Sequence, residues 1–232
     1  DAIESIGSGP TIVNAGKRVD ALGILARYGI MPAPAIERHL ASAGKAPPRA
    51  VAAGRLQDSA FVIIRPADSL AAAASVAKVS GYLPMILGDD LEGEARELGA
   101  AHARLALQLQ RKGKPVCLIS GGETTVTVRG KGRGGRNGEY VLGALLELGG
   151  QPGIAVVAAD TDGIDGSEAN AGAMGFPSSI ARAAALRLDA AHSLTENDSY
   201  GFFASLGDLL LTGPTYTNVN DFRAILIEPL RA

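Results

Sequence analysis

Apolar positions along this chain follow two alternating patterns, short β-branched runs and longer amphipathic stretches. Apolar runs of about four to eight residues predict buried strands, and helical spacing sustained over ten or more residues predicts helices. From residue 60 onward the two patterns alternate, which is typical of an α/β protein with a largely parallel or mixed sheet and helices on both faces. The predicted strands are Phe61–Ile64, Leu83–Leu87, Pro115–Ile119, Ile154–Ala158 and Phe222–Ile227.

Helical spacing is clearest between these strands, and the strands and helix from Phe61 to Leu87 form a predicted βαβ unit. Residues 1–58 differ in composition from the rest: they predict a short helical lead, with a Pro- and Gly-rich connector from residue 44 to 58. We therefore place residues 59–232 in one α/β domain. The predicted helices are Val19–Tyr28, Pro34–Ser42, Ser69–Ser80, Leu91–Gln110, Glu139–Leu148, Ser178–Leu186 and Tyr200–Ser205.

Composition narrows the class of protein. The chain has 47% hydrophobic residues, 30 Gly, and only five Tyr, five Phe and no Trp, so its core is expected to be aliphatic. A net charge of −2 argues against nucleic acid or an anionic membrane as a partner. No apolar run reaches the ~18–20 residues that span a bilayer. The one cysteine, Cys117, suits a reducing compartment, and we expect a cytoplasmic protein.

Polar residues and glycines collect after the predicted strands, where open α/β sheets bind ligands. Ser120, Gly121 and Gly122 follow one strand and could turn backbone N–H groups toward an anion, with the Glu123 carboxylate beside them. A simple Gly-Gly turn is the competing interpretation.

A second cluster, residues 129–137, combines four basic residues with four glycines just before a predicted helix. Guanidinium groups, backbone donors and the positive end of the helix dipole would together favour phosphate. It lacks the order of a Walker A loop and of a dinucleotide-binding turn. A solvated basic loop and an RNA-binding arginine-glycine segment are the alternatives; the latter is disfavoured because only Tyr140 is nearby for stacking.

Two further clusters are rich in hydrogen-bonding groups. Asp160, Asp162 and Asp165 follow a strand, and three carboxylates so close together suggest Mg²⁺ binding or acid–base work, although a series of Asx turns explains them equally well. Asn197 or Asp198 is expected to cap the helix at Tyr200. The last cluster, before the final strand, suits a polyol or carboxylate substrate: Thr215, Thr217, Asn218, Asn220 and Asp221.

Seven segments of the chain carry a resemblance to a known family: Asp1–Thr11, Ile86–Asp89, Ser120–Thr125, Gly132–Asn137, Thr161–Gly166, Asn197–Tyr200 and Gly213–Asp221. They occur in the order of their counterparts in the glycerate 2-kinase family, over essentially the whole chain, and the sequence resembles the C-terminal half of that family, called the MOFRL domain. It departs from the family pattern at Gly138, Glu168–Asn170 and Tyr216, where substrate fit or loop shape is expected to differ.

The resemblance implies a kinase that transfers phosphate from ATP to D-glycerate with Mg²⁺. It also implies that residues 1–58 are the tail of an N-terminal domain otherwise missing here, that the active site lies between the two domains, and that this chain alone is inactive; it leaves a homodimer open. In this interpretation Arg136 and one of Asp162 and Asp165, as the base, are catalytic, and Glu123 and Asp160 are metal ligands. The phosphate- and substrate-binding residues are Ser120, Gly121, Gly122, Lys131, Arg133, Asn137, Thr217, Asn218, Asn220 and Asp221.

Some members of the family carry the name hydroxypyruvate reductase, so an NAD(P)H-dependent reductase is the first alternative. This chain has no G-x-G-x-x-G turn between a strand and a helix, which argues against a nicotinamide site in this part of the polypeptide. A non-catalytic sensor of small molecules is the second alternative. Binding of glycerate without turnover would favour it.

Overall fold

The computed structural model describes residues 21–43 and 61–230 and divides the chain into two compact units, residues 1–63 and 64–232. The described part of the first unit contains helices α1 (Ala21–Arg27) and α2 (Pro34–Ala43), close to the two helices predicted there. The predicted connector from 44 to 58 lies outside the described residues.

The second unit is built on one six-stranded sheet with helices on both faces. Its strands are β1 (Leu83–Leu91), β2 (Val116–Gly122), β3 (Ile154–Asp160), β4 (Gly172–Gly175), β5 (Leu209–Leu210) and β6 (Asp221–Ile227), in the order β1-β2-β6-β3-β4-β5. Its helices are α3 (Pro66–Val79), α4 (Ala95–Gln110), α5 (Arg136–Leu148), α6 (Ser179–Ala185), α7 (Ala190–Thr195) and α8 (Ser199–Leu206).

The sheet is mixed, which is one of the two forms that the sequence predicted, largely parallel or mixed. Only β1 and β2 run parallel; the four other neighbouring pairs are antiparallel, so the largely parallel form is wrong. The reason is β6, the last strand in the chain, which inserts between β2 and β3 and runs antiparallel to both. An apolar run shows that a strand exists but not which strand it pairs with.

Several elements differ from the sequence prediction. Residues 61 to 64 are not a strand, and the side chains of Phe61 and Ile63 are largely exposed, so the predicted βαβ unit is absent. Conversely, β4, β5 and α7 were not predicted. Each is six residues or shorter, and β4 reads Gly-Ala-Met-Gly without a β-branched residue, so the local pattern carries little signal.

Helices α4 and α5 pack on one face of the sheet, and α3 covers β1 and β2 on the other. Glycines let α4 and α5 approach until their backbones touch: a Cβ at Gly99 would lie 2.1 Å from the Tyr140 carbonyl oxygen, and one at Gly143 would lie 2.4 Å from that of Arg96. This close contact sets the position of α5, whose first residue is Arg136. No helix among the described residues is long and apolar enough to cross a bilayer.

Candidate functional site

Strands β2, β3 and β6 bring two carboxylates together at one end of the sheet. Asp221, the first residue of β6, pairs with Gly122 at the end of β2 and with Asp160 at the end of β3. Like charges directly opposite each other on neighbouring strands repel and destabilise the sheet. Both residues are buried, so the arrangement requires a cation close by.

Arg136 supplies that cation from the first turn of α5. Its Nε donates to Asp221 Oδ1 at 2.8 Å and its Nη2 donates to Asp160 Oδ2 at 2.5 Å, while Nη1 lies 3.5 Å from Glu123 Oε1. Burial lowers the pKa of Arg136, but Asp221, Asp160 and Glu123 more than offset this and raise it. The result is a permanently charged guanidinium, about a quarter exposed, at the end of the sheet.

Asp160 titrates unusually high for an aspartate. Its pKa is raised to about 6, chiefly by burial; the backbone N–H of Asp162 and the Arg136 guanidinium lower the pKa in part, and the neighbouring charges of Asp162 and Asp221 raise it. Arg136 and the Asp162 N–H group therefore both stabilise the ionised form of Asp160.

This titration predicts a pH dependence of stability. A carboxyl group with a raised pKa binds a proton more tightly in the folded chain, so its contribution is present below its ordinary pKa of 3.8 and is lost as the pH rises through about 6. Relative to Asp160→Asn, the parent protein should lose free energy of unfolding between pH 4 and pH 7. Urea unfolding at pH 4 and pH 7 measures the difference. The control variant Glu97→Gln, an exposed change on α4, should show the same pH dependence as the parent. An equal change in the free energy of unfolding for the parent and Asp160→Asn would contradict the raised pKa of Asp160.

Asp165 caps helix α5. Its Oδ1 accepts from the backbone N–H of Asn137 at 2.9 Å and its Oδ2 accepts from that of Gly138 at 2.8 Å. Burial raises the pKa of Asp165, and these two N–H groups counteract the rise in part. The predicted helix started at Glu139 with free donors before it; instead α5 begins at Arg136, and a carboxylate of the chain already occupies these two donors.

The Asn137 side chain joins the cap to the carboxylate pair. Its Nδ2 donates to Asp221 Oδ1 at 2.8 Å and lies 3.4 Å from Asp165 Oδ1. Both Asn137 and Asp165 are buried, whereas Asp162 is partly exposed, so Asp162 is the more accessible of the two candidate bases.

The predicted glycine turn belongs to the sheet. Ser120, Gly121 and Gly122 are buried in the last part of β2 rather than in an open turn after it. Gly122 has φ +108°, and a Cβ there would lie 2.2 Å from the Leu91 backbone nitrogen, so only glycine fits between β1 and β2. The exposed part of this cluster begins at Glu123.

The basic loop, residues 129–135 before α5, is held by the segment before α8. Asn197 Oδ1 accepts from the backbone N–H groups of Arg129 and Gly130 at 2.7 and 2.9 Å, and Asp198 Oδ1 accepts from that of Arg133 at 3.0 Å. Asp198 occupies the N-cap position of α8, as one of the two predicted candidates, but neither side chain accepts a hydrogen bond from the first turn of that helix. The two side chains shape the loop instead.

The exposed cations of the loop stand apart from the carboxylate pair. The Arg133 guanidinium lies over the Tyr200 ring, 4.7 Å from its centroid, and 3.4 Å from Glu168. Lys131 is exposed and, within residues 21–43 and 61–230, its side chain has no hydrogen-bond or ion-pair partner. Of the basic residues predicted for the site, only Arg136 contacts the strand-end carboxylates.

The loop before β6, residues 211–220, packs on the loop after β3 that contains Asp162 and Asp165. Thr161 Oγ1 donates to the Asn220 carbonyl oxygen at 2.7 Å, and Thr215 Oγ1 donates to the Thr161 carbonyl oxygen at 2.5 Å. Asn218 Nδ2 lies 3.4 Å from Asp162 Oδ2. Thr217 and Asn218 are exposed and Asn220 is half-buried, so polar side chains of this loop remain open to solvent beside the carboxylates.

The two predicted metal ligands, Glu123 and Asp160, both face Arg136. The part of the chain that the structure describes holds no group of three or more acidic, His or Cys side chains placed to bind a metal ion. The described residues therefore do not form a metal cage of their own.

Arg223 was missed by the sequence analysis. Its side chain is 1% exposed on β6, where its Nη2 donates to Asp221 Oδ2 at 2.6 Å and its Nη1 donates to the Gly121 carbonyl oxygen at 2.9 Å. The available signal was one charged residue inside the otherwise apolar run from Phe222 to Ile227.

Comparison with known proteins gives matches under two names, hydroxypyruvate reductase and glycerate kinase. The MOFRL family model matches residues 116–221. The chain is 44% identical over 98% of its length to a putative hydroxypyruvate reductase of Agrobacterium vitis, and 35% identical over 95% to a D-glycerate 2-kinase of Thermotoga maritima; it spans 52% of each. It is 32% identical over 99% to a glycerate kinase of Macaca fascicularis, of which it spans 70%.

A solved structure matches the fold over nearly the whole chain. The crystal structure of a glycerate kinase from Thermotoga maritima superposes with a TM-score of 0.81 at 35% identity, covering 98% of this chain and 54% of the other. The chain thus spans about half the length of most of the relatives it matches.

Proposed function

This chain belongs to the glycerate kinase family, and we propose that it forms the C-terminal portion of an ATP-dependent glycerate 2-kinase, which converts D-glycerate and ATP to 2-phosphoglycerate and ADP. The observation that carries the proposal is Arg136, a charged and partly open guanidinium held between two strand-end carboxylates. Phosphoryl transfer depends mainly on positioning and on neutralising charge on the phosphate oxygens, which such a group provides.

In the proposed reaction the Nη1 edge of Arg136 contacts the transferred phosphoryl group. The C2 hydroxyl oxygen of glycerate forms the new bond to phosphorus, the bond from phosphorus to the ADP oxygen breaks, and a carboxylate accepts the hydroxyl proton. Asp162 is our choice for that base, because Asp165 is buried and caps α5. Thr217, Asn218 and Asn220 would hold the substrate, and Lys131 and Arg133 the nucleotide phosphates.

Mg²⁺ enters this proposal together with ATP. Mg²⁺ in such sites keeps several waters and takes most of its other ligands from the phosphates, with one or two protein carboxylates. Glu123 and Asp160 would supply those carboxylates. This number of ligands agrees with a site that lacks a protein cage among the described residues.

We further propose that the rest of the active site comes from the N-terminal half of a longer polypeptide. The support is that the chain spans 52% of the Thermotoga maritima kinase and 54% of the solved glycerate kinase chain. Lys131, Thr217 and Asn218, which we propose bind nucleotide and substrate, are all exposed.

One pair of assays tests the function. The full-length protein is incubated with Mg-ATP and D-glycerate, and the product is identified by ³¹P NMR; a parallel reaction contains hydroxypyruvate with NADH or NADPH. We expect 2-phosphoglycerate in the first and no oxidation of the nicotinamide in the second, and no turnover by this 232-residue chain alone. Nicotinamide oxidation without phosphorylation would replace the kinase by the reductase, which the name of the Agrobacterium vitis relative favours. Glycerate binding without either reaction would indicate a sensor.

A further inference from the structure

Arg223 lies at the centre of the described site but has no role in the reaction proposed above. Asp221 and Arg223 are two residues apart on β6, so their side chains lie on the same face of the sheet, the face that α5 covers. The Arg223 guanidinium also lies 5.5 Å from the ring centroid of Tyr140, which is one helical turn after Arg136 on α5. Arg223 therefore contacts β2, β6 and α5 at once.

Its hydrogen bonds control the groups that hold Arg136. Nη2 donates to Asp221 Oδ2, which leaves Oδ1 to accept from Arg136 Nε. Nη1 donates to the Gly121 carbonyl oxygen and Nη2 also lies 3.2 Å from Thr124 Oγ1, so Arg223 binds on both sides of Glu123. Asp221 and Glu123 are two of the three carboxylates around Arg136.

Stability alone is a weak reason to keep an arginine here. The desolvation of a buried ion pair often cancels its attraction, and apolar residues of similar volume can be as stable. The Arg223 Nε atom is buried and has no hydrogen-bond partner in the described part of the chain, which adds a further cost. A charged group buried at such a cost points to a role in the site.

We infer that Arg223 is a positioning residue for phosphoryl transfer, an inference that rests on the proposed kinase function. By binding Asp221 Oδ2, Arg223 fixes the rotamer of that carboxylate and shares its negative charge. Arg136 is thereby held by Nε and Nη2, and in the described part of the chain its Nη1 edge faces the exposed Glu123 carboxylate, which leaves that edge accessible to a phosphate. Without Arg223, the whole negative charge of the Asp221 carboxylate acts on the Arg136 guanidinium. The carboxylate is also free to change rotamer, so the position of the guanidinium is less well fixed.

The first test is Arg223→Lys in the full-length protein. A lysine ammonium keeps the charge but cannot reproduce the planar fork that holds a carboxylate and a carbonyl together. We expect kcat to fall by ~10–100-fold, the effect typical of losing an outer-shell partner, with the KM for glycerate changed little. The matched control is Arg182→Lys: Arg182 also donates to a carboxylate, Asp208, and to a carbonyl oxygen, that of Leu206, but remote from the site, and its loss should leave kcat unchanged.

A double-mutant cycle separates positioning from a merely structural role. If Arg223 acts through Arg136, adding Arg223→Lys to Arg136→Lys lowers kcat no further than Arg136→Lys alone. In the control cycle, Arg182→Lys is added to Arg136→Lys, and the fold-changes in kcat of the two single variants should multiply. A kcat for Arg223→Lys within a factor of about two of the parent, or losses that multiply in the Arg136 pair, would overturn the inference.

Two measurements keep the inference testable when these assays fail. If circular dichroism shows that Arg223→Lys does not fold, Thr124→Val takes its place, because it removes one acceptor of the Arg223 guanidinium without removing a buried charge. Thr124→Val should also lower kcat, and an unchanged kcat overturns the inference.

If the parent protein shows no kinase activity, the proposed function fails, and the positioning of Arg136 is measured from the ¹⁵N-arginine NMR spectrum instead. The Arg136 Nε–H resonance, assigned with Arg136→Lys, should broaden or shift in Arg223→Lys but not in Arg182→Lys, and an unchanged resonance overturns the inference.

Discussion

Arg136→Ala should lower kcat/KM for glycerate phosphorylation by ~10²–10⁴-fold in the full-length protein, the range expected when one group that stabilises transition-state charge is lost. Two effects add together. The phosphate loses its guanidinium, and the Asp160 and Asp221 carboxylates, opposite each other on β3 and β6, lose the cation between them. Steady-state kinetics with varied ATP and varied glycerate measure the change.

Arg136→Lys separates charge from geometry. An ammonium can contact one carboxylate but not both at the angles of the guanidinium fork, so we expect only partial recovery. Arg104→Ala is the control, because Arg104 forms an exposed ion pair with Glu147 on the outer surface of α4 and α5. Activity of Arg136→Ala within twofold of the parent at unchanged melting temperature would remove Arg136 from the site. A loss that tracks melting temperature across unrelated loop variants would make it a purely structural residue.

Asp221→Ala should be among the most destabilising single changes in this domain. It leaves the Arg223 guanidinium buried and without its carboxylate, and breaking a buried pair from one side costs ~3–5 kcal/mol. For a domain of this size, that corresponds to a fall in melting temperature of roughly 6–20 °C. Differential scanning calorimetry and urea unfolding of the parent and the variant measure it.

Asp208→Ala provides the comparison for this prediction. Asp208 is also buried and also binds an arginine, but the side chain of its partner Arg182 is 38% exposed and can be solvated when the carboxylate is removed. We therefore expect a smaller loss for Asp208→Ala. Equal losses for the two variants would mean that burial of Arg223 does not set the cost.

Local sequence patterns identified most of the regular structure. The apolar runs Pro115–Ile119, Ile154–Ala158 and Phe222–Ile227, which correspond to β2, β3 and β6, and the helical spacing of α3 to α5 were visible without tertiary information, because periodicity reports burial on one or both faces of an element. Elements without such a signal were not found. Strand β4 lacks β-branched residues, and the exposed run from residue 61 to 64 has the composition of a strand without a partner to pair with.

Helix boundaries had a direct consequence for the candidate site. The predicted helix began at Glu139, so Arg136 and Asn137 were assigned to a flexible loop with free backbone donors. The cap from Asp165, 28 residues away from Asn137, moves the start of the helix to Arg136 and occupies those donors. A cap supplied from so far along the chain leaves no local trace beside the helix.

The sequence by itself determined the kinds of chemistry present in this protein: the glycines, the basic residues and the carboxylates that lie near strand ends and suit a phosphate. Only the tertiary structure decided which of them meet. Arg136 reaches Asp160 across 24 residues and Asp221 across 85, and Arg223 reaches Gly121 across 102. Those contacts exist because β6 closes the sheet between β2 and β3. Such pairing depends on how whole faces of the sheet pack and on the entropy of closing long loops, neither of which any local stretch of residues encodes.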